Sequence, residues 1–292
     1  MSVPAALGRW RDEPGGAEWL ERLPRLVREC AELWSLRVGE PYAGGNVAWV
    51  APADLPDGTP AVLKLNFPER ESEREADALA FWDGEGAVRL LAEDESRRAL
   101  LLERCEPGTQ LWAEPDGAAT MSIAAGVLRT LWRPPPAAGH RFRTVADLAA
   151  AWADELPLAW ERDGRPYERA LLDEAVAFLR ESGPSQGELV VAHQDFHSGN
   201  VLRAVREPWL AIDPKPVVGE REFDTASLLR DRRRELRADP DPGTRIRRRL
   251  DQLAAELDLD RDRMRGWGIA HALAWDPDEE MLACARWLAA VR

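Results

Sequence analysis

The sequence predicts an α+β protein of two lobes: a small strand-rich lobe over residues 1–105 and a larger, mainly helical lobe over residues 106–292. Three observations carry this. Up to Cys105 the apolar residues fall in short runs of strand length, broken by turn residues, and beyond it they fall at helical spacing. At 292 residues the chain is long for one compact domain and suits two. A chain of this size buries about three quarters of its unfolded surface. Hydrophobic content of 45% supports a folded core and argues against disorder.

The first lobe reads as follows. Residues 17–36 carry Trp19, Leu23, Leu26, Cys30, Leu33 and Trp34 at helical spacing, with one buried face and Pro24 near the first turn or at a kink. Residues 41–50, P-Y-A-G-G-N-V-A-W-V, put a glycine pair ahead of an alternating run, which predicts a tight turn between two strands. Residues 54–60 are turn-rich. Residues 61–65 form a strand with Lys64 in its middle. A lysine in an apolar strand is costly unless its charge is paired or points into a site. Residues 69–82 are helical through Ala76, Leu79, Ala80 and Phe81. Strands over 88–92 and 99–103 follow, and Arg104-Cys105-Glu106-Pro107-Gly108 breaks the pattern.

The second lobe opens with a helix over 120–132, carrying Ile123, Val127, Leu128 and Leu131, which stops at three prolines, Pro134 to Pro136. Thr144 is a candidate N-cap ahead of Val145, Leu148, Trp152 and Leu156. A helix over 167–180 ends at Gly183-Pro184. Further helices are predicted over 223–230, 245–257, 260–275 and 278–291. Most of the 13 tryptophans fall at core positions, with Trp112 and Trp275 as candidate walls of a site.

The chemistry concentrates between residues 190 and 224. V-V-A-H-Q-D-F-H-S-G-N-V-L is followed, after a polar gap, by W-L-A-I-D-P-K-P-V-V-G-E-R-E-F-D. Two short apolar runs, 189–192 and 209–212, read as buried strands, with Asp195 and Asp213 just beyond their ends. Phosphoryl transfer needs a carboxylate to orient the incoming hydroxyl and take its proton. It also needs oxygen ligands for a hard cation such as magnesium. Kinases set the base and a metal-binding Asn five residues apart and supply a metal-binding Asp from a later loop. Asp195, Asn200 and Asp213 have that order and spacing. Read singly, each is an ordinary turn residue. His193 and His197 lack the Glu of a zinc H-E-x-x-H helix, so they are expected to hold the loop.

H-Q-D-F-H-S-G-N resembles the catalytic loop of the aminoglycoside phosphotransferase superfamily, usually H-G-D-x-H-x-x-N, with Gln194 in the place of the glycine. I-D-P-K-x-x-x-G-E-R-E-x-D is similar to the streptomycin 6-phosphotransferase branch, grouped as aminoglycoside/hydroxyurea resistance kinases. The resemblance spans nearly the whole chain. It implies a bilobal protein-kinase-like fold that uses ATP and Mg2+, with the nucleotide in the cleft. Asp195 becomes the base, Asn200 and Asp213 the magnesium ligands, and Lys64 a phosphate contact held by Glu75, with Glu71 as the alternate. Gly44 and Gly45 cover the phosphates, and the backbone near Glu103 and Cys105 meets adenine. Asp224 bonds backbone N–H groups of the loop, while Lys215 touches a phosphate or stands in solvent. A cationic acceptor would meet Glu220, Glu222, Asp154, Glu155 or Asp276.

The formal net charge of −13 disfavours nucleic acid as a partner. It suits a cationic ligand, although acidity also serves solubility. Lys64 and Lys215 are the chain's lysines, and both fall inside motifs. Cys30, Cys105 and Cys284 are too far apart to suggest a metal site and read as reduced thiols. No apolar run reaches membrane-spanning length, and the first residues lack a signal-type apolar stretch. The expectation is a cytoplasmic monomer that phosphorylates an aminoglycoside, with streptomycin first and resistance the outcome. The alternatives are a kinase of the same fold for another hydroxylated metabolite or a hydroxyurea-like compound, and a degenerate nucleotide-binding regulator.

Overall fold

Short apolar strands need partners on both edges, and the first part of the chain supplies them to a single sheet. The computed structural model describes residues 3–43, 47–137, 139–275 and 277–291. The chain divides into two compact units, Met1–Gly108 and Thr109–Arg292, so the boundary expected at Cys105 falls inside the first. That unit contains α1 (Gly16–Leu33), β1 (Arg37–Val38), β2 (Ala48–Asp54), β3 (Pro60–Asn66), α2 (Glu75–Trp82), β4 (Leu90–Asp94) and β5 (Ala99–Glu103). The strands run β1-β2-β3-β5-β4, every neighbour antiparallel. β3 is central, with Lys64 opposite Val50 on β2 and Leu100 on β5.

One side of this sheet carries Trp49, Ala51, Leu63 and Leu65 into a core with Trp19, Leu23, Leu26 and Cys30 of α1. Trp10 stacks on Phe67 at 4.1 Å and Trp19 meets the same ring edge-on. Two expectations change. α1 ends at Leu33, which is exposed, and Trp34 just beyond it packs against the core. Of the two placements expected for Pro24, it takes the one within the helix and not the one near the first turn. The helix expected from residue 69 becomes α-helical only at Glu75, after a 3-10 turn at Glu71–Arg74. Glu75 therefore stands in the first turn of α2, where the helix dipole favours a carboxylate.

The second unit contains α3 (Gly117–Leu131), β6 (Arg143–Thr144), α4 (Val145–Arg162), α5 (Arg169–Ser182) and β7 (Leu189–Ala192). Then come β8 (Val201–Arg203), β9 (Trp209–Ala211), β10 (Val217–Glu220), α6 (Arg221–Asp224) and α7 (Ala226–Leu229). α8 (Arg233–Ala238), α9 (Pro242–Leu257), α10 (Arg261–Ala274) and α11 (Glu279–Ala290) complete it. β10 was not anticipated, being four residues long and without alternation. It pairs antiparallel with β7 and parallel with β6, while β8 and β9 form a separate hairpin. Gly219 lets β10 lie against the start of α4, since a Cβ there would stand 2.2 Å from Val145 Cγ2. Phe223 and Trp267 meet edge-on at 5.2 Å, and Trp152 stacks over Phe223. Among the described residues, no helix is long and apolar enough to cross a membrane.

Thr144 caps α4 as its sequence suggests. Its Oγ1 accepts the Asp147 N–H at 3.0 Å and donates to Asp147 Oδ2 at 2.6 Å. Replacing Thr144 with Ala should cost about 1 kcal/mol of unfolding free energy, read from urea midpoints at constant m-value. An unchanged midpoint would mean that packing alone sets the start of α4.

Candidate active site

The site is built where β7 runs out of sheet. Past Ala192 the next two amides have no strand opposite, and buried N–H groups must be paired. Asp224, at the end of α6, supplies the acceptors: Oδ2 takes His193 N–H at 3.0 Å, and Oδ1 takes Gln194 N–H at 2.7 Å. The indole N–H of Trp132 adds a third bond to Oδ2 at 3.0 Å. Asp224 is fully buried, which pushes its carboxyl upward, and the three donors pull it back down. Gln194 is held at φ +67, a left-handed conformation that favours glycine. This accounts for the glycine usual in the resembling loop motif. The Gln194 carbonyl accepts from Ser227 Oγ at 3.0 Å. Its side-chain amide is buried with no hydrogen-bond partner among the described residues. The loop thus carries a strained backbone and an unmet buried amide, and it persists because its surroundings over-determine it.

That turn aims Asp195. Asn200 Nδ2 donates to the Asp195 carbonyl at 3.0 Å and to Oδ2 at 3.4 Å. His197 Nε2 stands 3.9 Å from Oδ1. His197 Nδ1 accepts the Gly199 N–H at 3.0 Å, so the ring hydrogen sits on Nε2, facing Asp195. The Asp195 side chain stays 26% exposed, open to an incoming group. Its carboxyl lies above the ordinary range, chiefly because desolvation disfavours the anion; His197, Lys215 and Arg230 oppose this and Asp213 adds to it. Arg230 is buried, with Nη2 bonded to Ser227 Oγ at 3.1 Å and to His271 Nδ1 at 2.9 Å. Burial lowers it to about 10, with the Asp195 charge the largest opposing influence.

Three bonds stitch this loop to the next. His193 Nε2 donates to Ile212 O at 3.0 Å, Lys215 N to His193 O at 3.0 Å and Ile212 N to Asn200 O at 2.9 Å. Asp213 follows at φ +58. Its Oδ1 is 3.1 Å from Lys215 Nζ, and Lys215 is buried, so this lysine is not a solvated charge. Asn200 spends its Nδ2 hydrogens on Asp195, which leaves its carbonyl oxygen for a cation. With Asp213 that makes two hard oxygen donors, a set that fits magnesium. No cluster of three or more His, Cys, Asp or Glu side chains among the described residues could hold a metal. Magnesium suits such a sparse set, since it takes one or two protein groups plus phosphate oxygens.

In the first unit, Lys64 Nζ lies 2.6 Å from Glu75 Oε1, with both side chains buried. Asn66 Nδ2 donates to Glu75 Oε2 at 2.8 Å, so the carboxylate is satisfied on both oxygens. The pairing gives the lysine side chain a fixed direction.

Residues 34–276 match the aminoglycoside/hydroxyurea antibiotic resistance kinase family. The chain belongs to this family. It is 36% identical to the streptomycin 6-kinase of Streptomyces griseus, over 98% of this chain and 94% of that one. It is also 36% identical to the hydroxyurea phosphotransferase of Kitasatospora aureofaciens, over 97% of this chain and 82% of that one. Its fold is similar to an aminoglycoside phosphotransferase solved with ADP and hygromycin B, at TM-score 0.62 and 16% identity, covering 90% of this chain and 96% of that one. A choline kinase from Streptococcus pneumoniae gives 0.60 at 12% identity, covering 92% and 99%. The fold is therefore the kinase-like α+β fold of these enzymes, and the chain is a phosphotransferase.

The carboxylates expected to meet a cationic acceptor have different surroundings. Glu220 is corrected outright. It is buried at the end of β10, and its carboxylate is spent on Arg263 Nη2 at 2.8 Å, the Gly187 N–H at 2.9 Å and the Trp267 indole N–H. Glu222 accepts the Asp260 N–H at the start of α10. Asp154 and Glu155 are exposed on α4, on the side away from buried Trp152 and Leu156. Gly44, Gly45 and Asp276 lie outside the described residues. Glu103 ends β5 with its Oε2 on the Arg89 N–H at 3.0 Å, and Cys105 is half-buried just beyond. Asn66, Trp132, Ser227, Arg230 and Asp231 were missed. Each acts through a partner elsewhere in the chain, and a single polar or aromatic residue gives no local signal.

His193 gives a pH test. Burial lowers its imidazole from 6.5 to about 4. The unfolded chain takes up this proton below 6.5 and the native protein only near 4. Stability should therefore fall as pH drops through that window, by up to roughly 3 kcal/mol. Buried His271 is shifted the same way and adds to the fall. Urea unfolding between pH 7.5 and 4.5 should give a shallower decline for His193→Gln than for wild type. Superimposable profiles would mean that His193 is not held neutral.

Proposed function

We propose that this chain is an ATP- and magnesium-dependent kinase that phosphorylates a hydroxyl of streptomycin and so confers resistance, acting as a cytoplasmic monomer. One observation carries the chemistry: Asp195 is fixed by backbone bonds, remains open to solvent, and has one oxygen toward Asn200 and the other toward His197. Asp195 orients the acceptor hydroxyl and takes its proton as the phosphoryl group arrives. Lys64, tethered by Glu75, steadies phosphate oxygens, and Lys215 holds Asp213 in line. Asn200 and Asp213 are the residues that would hold magnesium, which when bound neutralises phosphate charge. Likeness to the streptomycin 6-kinases of Streptomyces griseus and Streptomyces glaucescens, at 36% and 37% identity, supports the acceptor.

A second reading, phosphorylation of a small neutral acceptor, has two supports. The hydroxyurea phosphotransferase is equally similar. Of the carboxylates expected for a cation, Glu220 is also buried and engaged by Arg263, and Glu222 accepts the Asp260 N–H. A degenerate regulator is disfavoured because Lys64, Asp195, Asn200 and Asp213 are all present.

Purified protein with ATP and magnesium should phosphorylate streptomycin within a panel that includes hydroxyurea and neutral sugars. Asp195→Ala should lower kcat by roughly two to four orders of magnitude and leave nucleotide affinity nearly intact. Turnover within a few-fold of wild type would remove Asp195 as the base. Turnover of hydroxyurea alone would favour the second reading.

A further inference from the structure

The turn Leu111–Ala113 is tied to the Asp195 loop at more points than a connection needs. Gln110 Nε2 donates to Gly199 O at 2.9 Å. Arg232 Nη2 donates to Leu111 O at 3.3 Å and to Glu114 O at 2.6 Å. The Trp112 indole N–H donates at 3.0 Å to Oδ1 of buried Asp231, which also accepts the Ser198 N–H at 3.3 Å. The indole stacks on His197, centroids 5.7 Å apart and planes at 24°. Gly199 leaves room for it, since a Cβ there would lie 3.1 Å from the indole Cζ2. Yet Trp112 is 47% exposed. A large ring fixed at its polar edge and stacked on one face, but open to solvent, is pre-organised to receive a flat or cationic group.

The two oxygens of Asp195 say what that group is. Oδ2 faces Asn200, on the side of the proposed metal ligand. Oδ1 faces His197, which carries Trp112 on its ring. A hydroxyl bound at Oδ1 brings the rest of its molecule alongside the indole. We propose that Trp112 is the shelf on which the acceptor's ring or guanidinium lies while its hydroxyl reaches Asp195, making it a specificity-determining residue held in place by Asp231. The inference deepens the reading of a cationic cyclitol acceptor and rests on it. A shelf of this kind selects guanidinium-bearing rings without a cluster of carboxylates, in keeping with the burial of Glu220.

Steady-state kinetics with streptomycin test it. Trp112→Ala should raise the streptomycin KM about ten-fold, with kcat and the ATP KM within about two-fold of wild type. Trp112→Phe, which keeps an aromatic face, should recover most of the loss. Melting temperatures establish that both variants fold. If the Ala variant does not, streptomycin quenching of tryptophan fluorescence that is present in wild type and absent in the Phe variant carries the same information. An unchanged streptomycin KM in a folded Ala variant overturns the shelf, as does a rise confined to the ATP KM. An equal loss of kcat in both variants at constant KM overturns it too, leaving Trp112 as loop packing. Those outcomes leave the acceptor reading intact. Wild-type turnover of hydroxyurea and not of streptomycin overturns both.

Discussion

A carboxylate with no solvent exposure, accepting three N–H bonds, holds the loop that carries Asp195, the proposed base of this phosphotransferase. Asp224 binds the amides of His193 and Gln194 at the point where β7 has no neighbour left, and its third donor is the Trp132 indole at the end of α3. Burying a carboxylate is costly, and hydrogen bonds to charged groups are among the stronger ones in proteins. The clamp depends on β10. That strand pairs with β7 and ends at Glu220, so the single turn of α6 delivers Asp224 back to the end of β7. Glu220 belongs to the same support, anchoring the end of β10 to α10 through Arg263 and Trp267.

Asp195 inherits its direction from that clamp. With Gln194 forced to φ +67, the chain turns so that the carboxylate emerges between Asn200 and His197. The loop carrying Asp213 is then bonded to the first through His193, Asn200 and Lys215, which ties the proposed base to the proposed metal ligands. Charges alternate through this region: Asp195, Asp213 and Asp224 are set among Lys215 and Arg230, and both cations are buried. Pre-organised charge of this sort needs little rearrangement when charge develops in the reaction.

Much of this was legible in the sequence, for physical reasons. The spacing of Asp195, Asn200 and Asp213 is set by local hydrogen bonds, so it leaves a pattern in the chain. Lys64 stood out because a lysine inside an apolar strand requires a partner, and Glu75 provides it at 2.6 Å. Thr144 declared itself by the cap it forms with Asp147. Glu220 was expected to meet a cationic acceptor, and nothing near it in the chain shows that it is buried. β10 is too short to show alternation, and the partner that buries Glu220, Arg263, is 43 residues away. Trp112 was a candidate wall of a site, but its orientation was not legible, since that comes from Asp231 and His197.

The clamp is tested most directly by Asp224→Asn. The asparagine keeps the shape but has one acceptor oxygen, and its amino group would face a backbone N–H that it cannot bond. The variant should fold with reduced stability and lose about two orders of magnitude in kcat while the KM values for ATP and acceptor change little, because the damage falls on the aim of Asp195. A kcat within two-fold of wild type would contradict the account and show that the loop holds its geometry without this carboxylate.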